Sequence, residues 1–385
     1  MKPIHHLVVF STLNHSVLAS SRFLVALYAV HLQASPVVVG VLVSLFSVVP
    51  MFISVPVGRF ADRKGTRMPL LVTTCLSACG AVLPFFWPQV ATLFITAVTV
   101  GGAYFALYIV NVSLSGRYGD AAERPGNFSH MSLGIAGANG AGPLITGFAI
   151  DSIGFTNTFL ALAIIPVASL AIALARLPQF GPVQGAAQAA AVRRGVLDLL
   201  RNPVMRPAYV ISIYFVLAWD IFMVMTPIYG AQLSLSASQI GSVVGAFSIA
   251  VFVIRIFIGP LSRYFKPLQL LLLSQVVAAS AMLAFGLTGS VPLLIVFAFV
   301  QGLGQGVGGP MVTTALYEVS PPDRVSEAIG LRMTVGHFCA AILPLIAGGT
   351  GSLIGVAPVF WLTAGLLFLG AWMERGQWHS RNPKR

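Results

Sequence analysis

One apolar stretch follows another along this chain, each about as long as a bilayer is thick, with only a few polar or basic residues between neighbours. A helix needs about 20 apolar residues to cross a membrane. Twelve such stretches fit: 8–31, 37–58, 68–86, 90–115, 130–153 and 155–177, then 207–230, 238–262, 267–287, 291–318, 325–350 and 355–374. Composition removes the soluble alternative. Of 385 residues, 8% are charged and 57% hydrophobic, whereas a soluble domain carries about 25% charged residues. Too few charges exist to cover a large water-facing surface. The expected fold class is therefore an all-α membrane protein of twelve transmembrane helices, with the lipid bilayer as its principal partner.

A net charge of +12 on a soluble chain would suggest nucleic acid as a partner; here its placement argues for topology. Nineteen of the 22 Lys and Arg lie in alternate connections or at the termini: Lys2; Arg59, Arg63, Lys64, Arg67; Arg117, Arg124; Arg176, Arg193, Arg194, Arg201, Arg206; Arg263, Lys266; Arg324; and Arg375, Arg381, Lys384, Arg385. The other connections carry none. This positive-inside asymmetry puts both termini in the cytoplasm of a multi-pass inner-membrane protein. The first apolar stretch reads as a span and not as a removed signal peptide. Cys75, Cys79 and Cys339 all fall in apolar runs, at spacings that suit neither a disulfide framework nor a metal site. They read as small packing residues, and no metal or cofactor is expected.

The twelve spans divide into two blocks. A connection at 178–206, rich in Ala, Gln and Arg, separates a bundle at 1–177 from one at 207–375, and a basic cytoplasmic tail occupies 376–385. An interfacial amphipathic helix is expected near 192–200. Shifting the sequence by 201 places Gly58 on Gly259 and Pro143 on Pro344, and a shift of 200 places Arg124 on Arg324. Six spans, a loop, then six spans in parallel register is the layout of transporters with two pseudo-symmetric six-helix bundles and a site near mid-membrane between them. Prolines within spans, such as Pro143, Pro166, Pro227, Pro310 and Pro344, are tolerated in lipid where neighbours satisfy the freed carbonyls.

The strongest motif is Gly58-Arg59-Phe60-Ala61-Asp62-Arg63-Lys64-Gly65-Thr66-Arg67, between spans two and three. Gly58 permits close helix approach, Asp62 can cap a helix or pair with Arg63 or Arg67, and Gly65 turns the chain. Such a cluster is expected to act as a conformational latch. The run resembles the G-x-x-A-D-R-x-G-x-R loop of the major facilitator superfamily. The resemblance implies that family's fold, a secondary active transporter working by alternating access, and a loop that stabilises the outward-open state. The repeat at Gly259–Lys266 places Arg263 at the acidic position, so the second latch is degenerate. Span five runs Gly134, Gly137, Asn139, Gly140, Gly142, Pro143, Gly147. It partly resembles the glycine-proline motif of the family's drug/proton antiporters, with Gly137, Gly142, Pro143 and, in the repeat, Pro344 as helix-packing residues. The Arg such antiporters carry in span four is missing from Thr96–Gly102. The run Gly302-Leu303-Gly304-Gln305-Gly306-Val307-Gly308-Gly309-Pro310 mimics a dinucleotide fingerprint. It lies inside a span, without the strand such a fingerprint needs, so it reads as helix packing. No P-loop is present, and no catalytic motif marks an enzyme.

Ionisable groups inside spans are costly and hence functional candidates. They are Arg22 and His15 in span one, Asp220 in span seven, Arg255 in span eight, and Arg332 and His337 in span eleven. Asn14, Asn111, Asn139, Gln301 and Gln305 add polarity, and Trp219, Tyr214, Tyr104 and Tyr108 offer aromatic walls. Asp220 is the deep carboxylate, a group for proton coupling or a counter-ion to an Arg. Arg255 and Arg332 lie close enough to helix ends to snorkel toward headgroups, whereas Arg22 is deeper. Three arginines against one aspartate leave a net positive interior. The expectation is a monomeric, proton-coupled exporter of a small organic, anionic or drug-like molecule. The alternative is proton-coupled uptake of a metabolite such as a carboxylate or sugar. A membrane sensor without transport would need a soluble sensing domain, and the sequence offers none.

Overall fold

The structure, a computed structural model, describes residues 3–64, 67–117, 124–176, 197–265, 267–320 and 325–381. Within these it omits the side chains of 3, 50–51, 53–64, 67, 112–113, 115–117, 124–129, 173, 176, 197, 267–268, 317–318, 325–327, 329–330 and 374–381. Thirteen helices are found among the described residues. The first six are α1 (Pro3–His31), α2 (Pro36–Lys64), α3 (Arg67–Phe86), α4 (Val90–Arg117), α5 (Arg124–Ile153) and α6 (Phe155–Arg176). A short α7 (Leu197–Arg201) follows, then α8 (Arg206–Gln232), α9 (Ala237–Tyr264), α10 (Pro267–Phe285), α11 (Val291–Val319), α12 (Val325–Ile354) and α13 (Val356–Arg381). Nine of the helices are long and apolar enough to cross a membrane, counted over the described residues. α5, α6, α8, α11 and α12 run unbroken through Pro143, Pro166, Pro227, Pro310 and Pro344.

Each long helix falls on one expected span, but several run further. α1 starts at Pro3, α2 continues to Lys64, and α13 carries the expected tail as far as Arg381. Hydropathy marks the hydrocarbon thickness, whereas helical hydrogen bonding continues past it into the headgroup zone. Most of the expected latch loop is thus helix: Gly58, Asp62 and Arg63 belong to the end of α2, and Arg67 opens α3. The side chains of Asp62, Arg63 and Arg67, and Gly65 as a whole, lie outside the described residues, as does 192–196 of the expected amphipathic helix.

The chain forms two compact units, one of Met1–Val192 with Ser234–Gly245, the other of Arg193–Leu233 with Ala246–Arg385. In the first, α1 packs against α2, α4, α5 and α6, α2 against α4, and α3 against α4 and α6. The opening turns of α9 join this unit through α5. Asp151 accepts hydrogen bonds from the backbone N–H groups of Ala237 (3.1 Å) and Ser238 (2.8 Å). A Cβ on Gly147 would stand 2.4 Å from the Ala237 carbonyl oxygen, and one on Gly241 2.8 Å from that of Pro143. In the second unit, α8 packs against α11, α12 and α13, and α10 against α11 and α13. The short α7 and the turn after it cap this unit: Leu199 of α7 and Met205 just before α8 are buried with Tyr209, Leu271, Met311, Leu316 and Leu331.

The 201-residue offset recurs in three dimensions. Gln33 (φ 61°) and Ser234 (φ 57°) share a left-handed backbone after the first helix of each repeat, and Gly154 (φ 82°) and Gly355 (φ 89°) share one after the fifth. Tyr28 lies 5.7 Å from Phe159 between ring centroids, and Tyr229 lies 5.6 Å from Phe360. Gly101 lets α4 approach the backbone of Phe46 on α2, and Gly302 lets α11 approach that of Phe247 on α9.

The glycine-rich run of α11 is a packing device on several sides. A Cβ at Gly302 would meet Phe247 on α9, at Gly304 Ser274 and Ala278 on α10, at Gly306 Val251 and Ile254 on α9, and at Gly308 Phe215 on α8. On α5, Gly142 packs against Ser20 and Ala19 of α1, Pro143 is buried and Pro344 likewise on α12. Gly137 departs from expectation: it is exposed, and nothing lies within 4 Å of where its Cβ would be. Cys75 and Cys79 are also exposed, so they do not fill core gaps as expected.

Candidate functional site

In the first unit, three helices converge on one imidazole. α1 carries His15, 8% exposed, which is buried because α4 and α5 close over it. Its Nε2 meets Asn139 Oδ1 of α5 at 3.0 Å. A carbonyl oxygen only accepts, so Nε2 carries the proton. Nδ1 is then the acceptor for the hydroxyl of Tyr104 on α4. Tyr108 stacks on Tyr104 one turn along, with ring centroids 6.2 Å apart, and is half-buried. Arg22 lies two turns along α1 on the face of His15, half-buried and within electrostatic reach of it. Asn14 points elsewhere: its Nδ2 donates to Phe10 O and to Ser169 Oγ of α6, each at 2.9 Å, tying α1 to α6. Asn111, 1% exposed, is buried further along α4.

In the second unit, Asp220 on α8 is 3% exposed and acts electrostatically on Cys339 of α12. Trp219 beside it is half-buried and meets Phe247 edge-on at 4.9 Å. Arg332 on α12 reaches across two helices. Its Nε donates to Ser212 Oγ of α8 at 3.2 Å, and its Nη1 to Thr313 Oγ1 of α11 at 3.0 Å. Thr313 can accept because its own proton goes to the Gly309 carbonyl, 2.8 Å away. Arg332 is thus held within the helices and does not reach for headgroups. Arg255 differs: it is exposed on α9, between Ile254 and exposed Ile256. His337 is half-buried on α12. Gln301 is fully buried, with Nε2 4.0 Å from Met282 Sδ on α10, and Gln305 is 5% exposed. Tyr214 lies with its ring over Gly370 of α13, where it packs one helix on another.

The structure therefore sorts the sequence candidates into two groups. His15, Arg22, Asn139 and Tyr108 gather in the first unit, and Arg332, Asp220, Trp219 and His337 share α8 and α12 in the second. Asn14, Gln301 and Tyr214 serve helix contacts. Sequence reasoning missed Ser212 and Thr313, the hydroxyls that hold Arg332. Nothing marks them in advance, since most hydroxyls in these helices simply bond back to a carbonyl one turn earlier, as Thr12 and Thr73 do. Among the described residues no cluster of His, Cys, Asp or Glu is arranged to hold a metal.

Residues 7–234 and 209–375 match the family model described as Major Facilitator Superfamily. An uncharacterized MFS-type transporter of Bacillus subtilis, YuxJ, is 22% identical over 332 residues, covering 82% of each chain. The probable sulfoacetate transporter SauU of Cupriavidus necator is 29% identical over 148 residues, 38% of this chain and 33% of that one. The staphylopine export protein of Staphylococcus aureus is 25% identical over 141 residues, 37% of this chain and 35% of that one. The solved structure of the nucleoside transporter NupG superposes with a TM-score of 0.78 at 14% identity, covering 97% of this chain and 98% of that one, a likeness of fold alone.

Proposed function

Since the chain belongs to the major facilitator superfamily, a family of secondary transporters of small solutes and not of enzymes, we propose that it is a monomeric, proton-coupled exporter of a small organic anion, working by alternating access with both termini in the cytoplasm. One observation carries the substrate class. Among the described residues, the Arg and Asp side chains held inside the helices include Arg22 and Arg332 against Asp220, and the two side chains that fix Arg332 are neutral hydroxyls. A positive charge kept at such cost in a lipid-embedded fold suits an anionic solute. The likeness to a probable sulfoacetate transporter supports this class, and the likeness to a staphylopine export protein supports this direction. Asp220 is the proposed proton-coupling group, because it is a carboxylate shut inside α8 at 3% exposure. The latch of Gly58, Asp62, Arg63, Gly65 and Arg67 is proposed to favour one transport state.

Uptake of a metabolite such as a carboxylate or sugar is the second reading, and span four favours it. The Arg that drug/proton antiporters carry in span four is missing from Thr96–Gly102, a stretch in which Thr96 donates to the Gly80 carbonyl at 2.8 Å and Gly101 packs against Phe46. Purified protein in proteoliposomes separates the readings. Counterflow of radiolabelled organic anions should proceed without a pH gradient, and a gradient should drive anions against the direction of proton entry. Accumulation in the direction of proton entry supports uptake. Binding of cations and neutral solutes but of no anion would sink the proposed class. Asp220→Asn is expected to keep counterflow and lose the gradient-driven component; unchanged gradient-driven transport in that variant removes Asp220 from the coupling.

A further inference from the structure

The guanidinium of Arg332 is tied along one edge and open along another. Ser212 takes Nε at 3.2 Å and Thr313 takes one proton of Nη1 at 3.0 Å. Five N–H donors lie in a planar fork, so the second Nη1 proton and both Nη2 protons remain. Nη2 points toward Gly309 on α11. A Cβ built at Gly309 would have Nη2 at 4.0 Å and, among the described residues, no atom of another helix closer. The surface beside Nη2 is therefore bare backbone with open space over it. Gly309 is half-buried, as is Arg332. The neighbouring glycines of the same run, Gly302, Gly304, Gly306 and Gly308, each have another helix pressed within 3 Å of their missing Cβ. Gly309 alone of these five has no such neighbour, so helix packing does not account for it.

Three features act together. The hydroxyls are neutral and fix the plane of the guanidinium without cancelling its charge. They come from α8 and α11 while the arginine comes from α12, so three helices set its position. Nη2, one end of the terminal Nη1–Nη2 edge that can grip two oxygens at once, lies on the side of Gly309, where no other helix fills the space among the described residues. Resting on the reading of this chain as an organic-anion transporter, we propose that Arg332 forms the acid-group subsite: its Nη1–Nη2 edge, beside the bare surface at Gly309, takes two oxygens of a carboxylate or sulfonate on the transported molecule. Ser212 and Thr313 are positioning residues, and Gly309 sets how closely the acid group approaches.

The test pairs acids with neutral isosteres. Purified protein is titrated with benzoate, benzenesulfonate and a set of aliphatic carboxylates and sulfonates, each beside its neutral amide, and binding is read by thermal shift and by competition in counterflow. Wild-type protein is expected to bind acids of the set and to discriminate against their amides. Arg332→Lys keeps the charge but loses the fork, and acid binding should weaken at least tenfold while any amide binding stays the same. Gly309→Ala adds one methyl at ordinary contact distance, leaves every Arg332 hydrogen bond in place, and should weaken acid binding about threefold to tenfold. Wild-type acid binding in Arg332→Lys overturns the subsite while leaving organic-anion transport standing. If Arg332→Lys fails to fold, unchanged acid binding in Gly309→Ala overturns it equally. No acid binding by wild-type protein removes the transport reading and the subsite with it. The ratio of carboxylate to sulfonate affinity tells which acid the edge prefers.

Discussion

Phe46 beside Gly101 in the first unit and Phe247 beside Gly302 in the second are the same contact made twice, 201 residues apart. Arg332, at the same offset, has Met131 as its counterpart; Asp220 has Ala19, His15 has Val216, and Asn139 has Ala340. The turns, aromatic pairs and close helix approaches recur, whereas the ionisable side chains inside the helices do not. The difference follows from what each kind of position must satisfy. A helix crossing is set by shape, and two units built to one plan need the same small residue against the same large one. A buried charge answers to whatever lies beside it, and nothing requires that to be the same in the two units. Asymmetry in polar content over a repeated scaffold is thus where substrate recognition is to be sought.

The sharpest break in that comparison comes from its glycines. A Cβ at Gly302 would stand 2.1 Å from the Phe247 carbonyl oxygen, and at Gly101 2.7 Å from the Phe46 backbone. In both cases backbone blocks the methyl, and no flexible side-chain end can swing aside. Gly302→Ala is expected to cost about 3 kcal/mol and Gly101→Ala about 2 kcal/mol, measured as loss of thermal stability in detergent. Gly137→Ala serves as the control, since nothing lies near that site; it should be neutral or gain up to about 1 kcal/mol from helix propensity. Equal stability of all three would show that the repeated crossing does not depend on glycine.

The turn after the fifth helix of each repeat gives a matched pair. Gly154 and Gly355 hold φ at 82° and 89°, a backbone that an L side chain enters only at about 1–2 kcal/mol. Space is not the obstacle: a Cβ meets nothing within 4 Å at Gly154 and only Pro358 at 3.7 Å at Gly355. Alanine at either position should therefore lower stability by the same amount, to within about 0.5 kcal/mol. A clear inequality would mean that the two turns are not equivalent, whatever their numbering.

Much of this scaffold was legible from residues alone, because lipid reduces the fold problem to span length, charge sidedness and repetition. Pro143 and Pro344 mark the repeat, and the basic connections mark the spans. The glycine run of α11 was legible as packing once a nucleotide site was set aside. The polar interior was legible only as an inventory. Arg22, Asp220 and Arg332 are conspicuous because charge is rare in a span, but helical spacing says nothing of which neighbour each faces. Asn14 turned out to tie α1 to α6, and Tyr214 to rest on α13, while Arg332 found partners in Ser212 and Thr313, residue types too common in these helices to stand out. Where a contact joins helices distant in sequence and uses ordinary residues, no local pattern carries it.

The smallest expected effect tests the pair that looks most alike. Tyr28 and Tyr229 sit at equivalent positions, each against a phenylalanine one turn into the sixth helix of its repeat, Phe159 and Phe360. Their hydroxyls differ. Tyr229 donates to the Thr288 carbonyl at 3.0 Å. The equivalent carbonyl in the first repeat belongs to Trp87, which already accepts the Gln89 N–H at 3.0 Å and shares the Thr92 hydroxyl, 2.8 Å away, with the Gln89 carbonyl at 2.7 Å. The loop after α3 closes on itself, and the Tyr28 ring stacks on Phe155 at 5.1 Å. Tyr229→Phe should therefore cost about 1 kcal/mol, and Tyr28→Phe within about 0.3 kcal/mol of nothing, both read from thermal unfolding of the purified protein. Thr92→Val frees the Trp87 carbonyl from its side-chain donor. If that change then makes the Tyr28 hydroxyl contribute, the two loops differ by one hydroxyl; if Tyr28→Phe remains silent in the Thr92→Val background, the backbone path after α3, and not the competing donor, sets them apart.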